Sequence, residues 1–252
     1  MADLDGLVAV VTGGGRGIGR AITLALADAG AKVAITGRQV SALEQTCAEI
    51  SARGGQALAL PGDVGDPVAV RAAFAAVRAQ LGPVSILVNN AGVTASSRLI
   101  ETPDDLWAQI FRINVDGAFY CVKAAAPDMI ARRWGRIIAI ASVAGLRGMP
   151  FSAAYSASKH ALIGLSRSLA DELSRYGITS NAICPGWTET DMLSDSIAHL
   201  ASISGRTVEE ARAALLAAGD QTTPVTPEDV AALVLRLASP ASQENGQAIV
   251  IA

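Results

Sequence analysis

The sequence predicts a doubly wound α/β domain, a parallel sheet of seven strands with helices on both faces. Three observations predict it. Short β-branched and aliphatic runs alternate with helical patterns from Leu7 to Ile251. Several of these runs are apolar almost throughout, the pattern of strands buried on both sides. Small or glycine-containing turns follow at their carboxyl ends: Gly13-Gly14-Gly15, Asn89-Asn90-Ala91-Gly92 and Pro185-Gly186. Of the 252 residues 51% are hydrophobic, enough for a sizeable core, and no repeat, low-complexity segment or linker interrupts them. Residues 1–252 therefore read as one domain.

Composition narrows the function classes. The net charge of −3 is spread along the chain, which argues against a nucleic-acid partner. No apolar run approaches the roughly 18 residues needed to cross a bilayer. The amino terminus Met1-Ala2-Asp3-Leu4-Asp5 is short and acidic, unlike a signal peptide. A soluble, cytoplasmic protein is expected, with no membrane partner. Cys47, Cys121 and Cys184 are odd in number and lie in apolar or helical contexts, so they read as free thiols of a reducing compartment. No cysteine–histidine cluster suggests a metal. His160 and His199 stand alone, and His160 reads as structural because it does not share a helix face with its neighbour Lys159.

Taken in order, Leu7–Thr12 is a buried strand that runs into Gly13-Gly14-Gly15-Arg16-Gly17-Ile18-Gly19 and then a helix to about Ala29. Strand, glycine turn, helix is the context of a phosphate-binding loop, in which the backbone approaches a pyrophosphate and the helix amino end favours its charge. The spacing is Gly-x-x-x-Gly-x-Gly, and a plain flexible loop is the bland alternative. Lys32–Thr36 is the second strand. An acidic residue after it would hold an adenosine ribose and signal NAD; this chain has Gly37-Arg38. Arg38 with Arg16 would suit a 2′-phosphate, hence NADP(H) over NAD(H). Otherwise Arg38 caps the next helix and both cofactors bind.

A helix over Val40–Ala52 leads to a third strand, Gln56–Leu60, with Asp63-Val64 just beyond it. The Asp63 carboxylate would meet an adenine amino group, or else cap the helix that starts near Pro67. Ser85–Val88 is strand four; after it Asn90, Ala91 and Gly92 let a ligand pass close to the backbone. Two helices follow, Asp104–Ile113 and Val115–Arg133, with Asn114 between them. Arg136–Ala141 is strand five and ends at Ser142. A loop over Val143–Phe151 precedes a helix to about Arg175, Ile178–Cys184 is strand six, and Pro185-Gly186-Trp187-Thr188 follows it. Residues 187–219 break the alternation with a polar-apolar helical stretch that reads as a flap over the ligand crevice. Pro227–Ala238 is a last helix with Thr226 as its cap and Glu228 and Asp229 in its first turn. Gln247–Ile251 is the seventh strand.

Within the sixth helix, Tyr155 and Lys159 lie four residues apart and share a face. A free phenol, with a pKa near about 10, exchanges protons poorly at neutral pH. A lysine cation beside it is expected to favour the phenolate and lower that pKa. Tyr-x-x-x-Lys alone is a common surface pair and needs the rest of the chain to give it meaning.

The Thr12–Gly19 loop, Asp63, Asn89–Gly92, Asn114, Ser142, Tyr155/Lys159 and Pro185-Gly186 together resemble the short-chain dehydrogenase/reductase family, in its subset of about 250 residues. The likeness runs in order along nearly the whole chain. It implies a Rossmann-type fold and hydride transfer between a nicotinamide cofactor and a carbonyl or secondary alcohol. By the same resemblance, Tyr155 gives the proton to a carbonyl oxygen during reduction and takes it back during oxidation. Ser142 hydrogen-bonds that oxygen, Lys159 lowers the tyrosine pKa and holds ribose hydroxyls, Asn114 holds a water in a proton relay, and Thr188 binds the nicotinamide carboxamide. The cofactor set is then Gly13, Arg16, Gly17, Ile18, Gly19, Arg38, Asp63, Val64, Asn90, Ala91, Gly92, Tyr155, Lys159, Pro185, Gly186 and Thr188, with no metal.

The substrate is read from smaller signals. Pro185-Gly186-Trp187 and Val225-Thr226-Pro227-Glu228 look like stretches of 3-hydroxybutyrate dehydrogenases, yet Thr94, Ala144 and Ser152 stand where a free carboxylate would need polar or basic partners. The segment Leu99–Trp107 and the run Asn181–Gly186 look like 3-oxoacyl and polyketide ketoreductases. Val93, Ala144, Leu146, Met149, Phe151, Trp187 and Met192 make a mostly apolar candidate pocket, suited to an acyl thioester or a neutral ketone. Each is equally explained by core packing. An NADP(H)-dependent reductase is the leading expectation. An NAD-dependent secondary-alcohol dehydrogenase working oxidatively is the alternative, and a non-catalytic nucleotide-binding sensor has no need of the proton-transfer groups. The family is usually a homotetramer or homodimer, and the apolar faces of the Val115–Arg133 and Ser152–Arg175 helices are compatible with such an interface. Family members usually continue past Ala252 with a glycine-containing tail.

Overall fold

The computed structural model describes residues 3–252; Met1 and Ala2, at the head of the acidic amino terminus, lie outside the described residues. The sheet is built from β1 (Val8–Thr12), β2 (Lys32–Gly37), β3 (Ala57–Pro61), β4 (Ile86–Asn89), β5 (Gly135–Ile140), β6 (Ile178–Pro185) and β7 (Ala248–Ile251). Their order across it is β3-β2-β1-β4-β5-β6-β7, with every neighbouring pair parallel. The helices are α1 (Gly17–Asp28), α2 (Val40–Ala52), α3 (Pro67–Gln80), α4 (Asp104–Phe111), α5 (Gly117–Arg132), α6 (Ala153–Leu173), α7 (Asp191–Ser204), α8 (Val208–Ala218) and α9 (Pro227–Ala238).

Two cores explain the continuous apolar runs. Alternate strand residues point to opposite faces: Ala9 and Val11 of β1 enter one core, Val8 and Val10 the other. On the first face Ile22 and Leu26 of α1, Leu43 of α2, and Val230, Val234 and Leu237 of α9 cover the sheet. On the second, Phe74 and Val77 of α3, Cys121, Val122 and Met129 of α5, and Leu173 of α6 do so. Full burial of each such side chain stabilises by about 1.5–3 kcal/mol. The i, i+4, i+7 stripe of α9 therefore fixes that helix over the central strands.

The strand order reverses between β1 and β4. Chain segments leaving these two strands diverge to opposite sides and open a crevice at their carboxyl ends, where open α/β sheets take ligands. Both the glycine loop after β1 and the small-residue turn after β4 border that crevice.

Expected and observed boundaries agree to within a residue or two, the ordinary scatter of helix and strand ends, and some differences are physical. The two helices expected to part at Asn114 form one rod, joined through a π-helical turn over Arg112–Asp116. Nothing at the junction breaks a helix: Arg112 and Asp116 keep right-handed helical backbone, and the turn absorbs the extra residue by widening. Asn114 thereby turns inward and is 1% exposed. The expected loop before α6 contains a 3-10 turn, Val143–Gly145. α6 stops at Leu173, short of Arg175, and a 3-10 turn over Ser174–Tyr176 completes it before Gly177 at φ +73°. The Asp63 cap is a correction: Asp66 caps α3, accepting from Val68 N at 2.8 Å.

Between β6 and α9 the chain makes α7 and α8, which pack on each other. Leu193, Ile197 and Ala211 form their core, with Trp187, Leu200 and Leu215 against it. The Thr226 cap of α9 is confirmed and is reciprocal, with Asp229 accepting from Thr226 N. Among the described residues no helix is long and apolar enough to cross a membrane. Cys121 and Cys184 are buried and Cys47 is half-buried, all three as free thiols.

Candidate active site

The glycine loop is shaped by close approach. Gly13 takes φ +67°, and a Cβ on Gly19 would lie 2.1 Å from the Gly13 carbonyl oxygen, so no larger residue fits there. Arg16 at the N-cap of α1 gives the helix no side-chain cap, and the first turn holds no acid. The first N–H groups of α1, around Gly17 and Ile18, are thus free of side-chain acceptors and favour an anion. The β4 turn is tied to this loop. Asn90 Nδ2 donates to Thr12 O (2.9 Å) and Gly13 O (3.2 Å), while Thr12 Oγ1 accepts from Asn90 N and Ala91 N. Thr12, a plain strand residue in sequence, is what registers the two turns against each other.

Farther along the crevice, Arg38 is exposed, as is Arg16. Asp63 Oδ1 accepts from Gly65 N and Oδ2 accepts from Arg112 Nη1, both at 2.9 Å. Burial alone would raise this carboxyl, but the Gly65 and Arg112 bonds and the charges of Arg112 and Arg38 take it below the usual carboxylate range. Asp63 is therefore an anion with lone pairs to spare, held on Arg112 from the π turn. Val64 beside it is buried in the second core.

At the other side of the crevice four groups converge from three elements. Ser142, two residues past β5 in extended backbone, accepts at its Oγ from Ala144 N at 3.1 Å. Tyr155 and Lys159 come from one face of α6, with Lys159 Nζ 5.6 Å from the centre of the phenol ring. Asn114 is clamped: Oδ1 accepts from Val93 N (2.8 Å), and Nδ2 donates to Val93 O and Ser158 Oγ (3.0 Å each). Ser158 in turn donates to Tyr155 O at 2.7 Å. This buried serine was not visible as a site residue, since a serine in a helix carries no signal until its neighbours are known. Gly92 passes between the groups; a Cβ there would lie 3.3 Å from Asn114 Oδ1 and 3.6 Å from Lys159 Nζ.

The electrostatics differ from the expectation for Tyr155. Lys159 Nζ donates to the Ile140 carbonyl at 2.8 Å, and burial lowers the ammonium to about 8, a nearby Cys184 pulling the other way. Burial raises the phenol of Tyr155, and its hydrogen bond with Ser142 opposes that rise. The lysine four residues away does not bring the phenol down in this arrangement. Low dielectric pushes each group toward its neutral form.

Past β6, Gly186 N donates to Ile251 O at 2.8 Å, and Thr188 donates its hydroxyl to Gly186 O at 3.2 Å. Of the candidate pocket residues, Leu146, Phe151 and Met192 are exposed, Ala144 is buried, Val93 packs on the second core and Trp187 packs with α7 and α8. Phe151 stands at φ +62°, a left-handed backbone rare for a bulky residue, and its carbonyl accepts from Ser97 N. His160 bonds Ser156 O one turn back through Nδ1, a helix contact as expected.

Residues 7–201 match the family of short chain dehydrogenases. The 3-oxoacyl-[acyl-carrier-protein] reductase of Synechocystis is 40% identical over 76% of this chain and 78% of its own length. The D-beta-hydroxybutyrate dehydrogenase of Rhizobium meliloti is 36% identical over 91% of this chain and 90% of its own. Among solved structures, a crystal structure of an actinorhodin polyketide ketoreductase with NADPH superposes with a TM-score of 0.92 at 37% identity, covering 100% of this chain and 97% of that one.

Proposed function

The chain belongs to the short chain dehydrogenase family, and we propose that it reduces a 3-oxoacyl thioester or an apolar ketone with NADPH. The observation that carries this reading is the convergence of Ser142, Tyr155, Lys159 and Asn114 beside a helix amino end left without a cap. The site suits a dinucleotide. Glycines let the Gly13–Gly19 loop pack tightly on itself, a Cβ on Gly19 meeting Gly13 O. The uncapped N–H groups at the start of α1 are left for a pyrophosphate. Gly13, Arg16, Gly17, Ile18 and Gly19 hold that pyrophosphate, Asp63 and Val64 the adenine, and Asn90, Ala91 and Gly92 the stretch between. Pro185, Gly186 and Thr188 hold the nicotinamide, and Tyr155 and Lys159 its ribose. Arg16 and Arg38 are exposed and carry no carboxylate partner among the described ion pairs, so both are open to a 2′-phosphate.

When bound, the nicotinamide supplies the hydride. The protein's own groups do the rest. Ser142, whose Oγ accepts from Ala144 N and which hydrogen-bonds Tyr155, turns its hydroxyl to the carbonyl oxygen of the substrate when that oxygen is bound. Tyr155, held protonated by burial, gives its proton to that oxygen as negative charge develops there. Lys159 and the clamped Asn114 flank the Gly92 backbone, and the proton given up by Tyr155 is replaced from solvent through Lys159 and water held beside Asn114.

Leu146, Phe151 and Met192 give the substrate an apolar rim, and α7–α8, residues 187–219, act as its flap. The 36% identical D-beta-hydroxybutyrate dehydrogenase favours a second reading, oxidation of a secondary alcohol with NAD. Thr94, Ala144 and Ser152 offer no charge to a small hydroxy acid, which weighs against it. We take the protein to be a single cytoplasmic domain that works as a homotetramer or homodimer. The test is the initial rate of cofactor oxidation with an acetoacetyl thioester, NADPH against NADH at equal concentration. Faster turnover with NADPH is expected. Turnover with NADH alone refutes the arginine assignment, and none with either removes the thioester in favour of neutral ketones.

A further inference from the structure

One buried side chain outside the proton-transfer group grips the backbone that leads into it. Gln221, just past α8, is 7% exposed. Its Oε1 accepts from Trp187 N at 2.6 Å, and its Nε2 donates to Trp187 O at 3.1 Å and Thr223 O at 3.4 Å. A side-chain amide here copies a neighbouring strand, satisfying both halves of one residue's backbone. Its orientation is dictated by its partner, since the Trp187 N–H needs an acceptor. Backbone continues the pattern: Val225 N donates to Trp187 O and Glu189 N to Val225 O, each at 2.9 Å. Two glycines make room for the brace. A Cβ on Gly186 would lie 2.4 Å from Gln221 Oε1, and one on Gly219 would lie 2.8 Å from Trp187 Cδ1.

The braced segment is Pro185–Thr188, and its other edge is fixed by Gly186 N on Ile251 O. The Trp187 side chain is packed into the core shared by α7 and α8. Next to Gln221, Asp220 accepts from Arg147 Nη1 at 2.6 Å, which joins the same turn to the loop after Ser142. That exposed pair adds little energy; the buried amide is the stronger tie, because removing it strands a backbone N–H.

We infer that Gln221 is a positioning residue, which sets the placement of Pro185–Thr188 and thereby of the nicotinamide half of the cofactor. This rests on the assignment above of Pro185, Gly186 and Thr188 to the nicotinamide. Gln221 acts through Trp187 and touches no reacting atom.

The experiment compares wild type, Gln221→Met and Gln221→Glu in affinity for NADPH and for 2′-phospho-ADP-ribose, which lacks the nicotinamide, and in kcat with a ketone. Gln221→Met keeps the volume and loses all three bonds. It should bind NADPH roughly tenfold more weakly, the scale of one net hydrogen bond, and turn over more slowly. Its affinity for 2′-phospho-ADP-ribose should be unchanged. Gln221→Glu keeps an acceptor for Trp187 N; ionised, it sets a lone pair against Trp187 O and should weaken NADPH binding as well, recovering as the carboxyl protonates and again donates to Trp187 O. Equal weakening toward both ligands would mean a general structural role and overturn the inference. So would unchanged NADPH affinity and kcat in both variants. A wild type that binds 2′-phospho-ADP-ribose as tightly as NADPH overturns the nicotinamide assignment itself, and the inference with it.

Discussion

Replacing Lys159 with methionine should stabilise the ligand-free protein while removing its activity. The ammonium is 4% exposed and its pKa falls from 10.5 to about 8 through burial. In the unfolded chain it titrates near its ordinary value. Holding the charged form inside therefore costs about 3 kcal/mol below pH 8, at about 1.4 kcal/mol per unit. Methionine fills similar space without charge. It forfeits the Nζ bond to Ile140 O at 2.8 Å and leaves that carbonyl unpaired, a loss of about 1–2 kcal/mol. The net gain is about 1–2 kcal/mol at pH 7, a rise in Tm of roughly 2–8 °C for a chain of this size. The sign has a pH signature. A depressed lysine destabilises below its folded pKa, and the penalty vanishes as pH climbs from about 8 toward 10.5, where the unfolded lysine too becomes neutral. The assay is thermal unfolding of both proteins, ligand-free, at several pH values between 7 and 10.5. Titrating groups not coupled to Lys159 cancel in the difference; Cys184, which is coupled to it, does not. A variant less stable than wild type at pH 7, or a gap that does not shrink with pH, would refute the reasoning.

Tyr155→Phe should abolish turnover, a loss on the order of a hundredfold or more for a missing general acid, with cofactor affinity nearly intact; titration of NADPH fluorescence checks the second half, and a large loss of binding counts against the assigned role. Arg38→Asp should shift the ratio of kcat/KM toward NADH, if the exposed guanidinium takes the 2′-phosphate proposed for it; an unchanged ratio shows that Arg38 does not touch that group. Because burial keeps the Tyr155 phenol protonated beyond its ordinary range, kcat/KM for ketone reduction should hold through neutral pH and fall at alkaline pH, while alcohol oxidation rises. Reduction that speeds up with alkalinity would contradict the donor assignment.

The sheet was legible because its strands are buried on both faces. Val8–Thr12 has no polar alternation to confuse it with a surface strand, and each such run ends in a turn that no strand or helix could continue. The Arg112–Asp116 turn was not legible. Its sequence, RINVD, contains neither glycine nor proline, and a widened turn differs from an ordinary one by a single inserted residue that carries no chemical mark. Reading a break at Asn114 located the anomaly and mistook its form. Gln221 escaped for a related reason: an amide near the end of a polar helical stretch looks solvent-facing until the Trp187 backbone is seen beside it.

At the site, spacing told which groups share a face and could not tell how deep they lie. Tyr155 and Lys159 were correctly placed together, and from proximity alone the cation was expected to pull the phenol down. Coulomb attraction between two such groups is a property of the pair, whereas desolvation depends on everything that packs around them: Ile140, Gly145, Cys184 and the Asn114 turn, all distant in sequence. Here desolvation is the largest cause for both groups, while the Lys159 ammonium donates to the Ile140 carbonyl. The outcome is a tyrosine kept as an acid and a lysine close to releasing its proton. Under the proposed reduction, a neutral phenol would be ready to donate its proton, and the lysine beside it, with a pKa lowered to about 8, would be ready to pass on the next one.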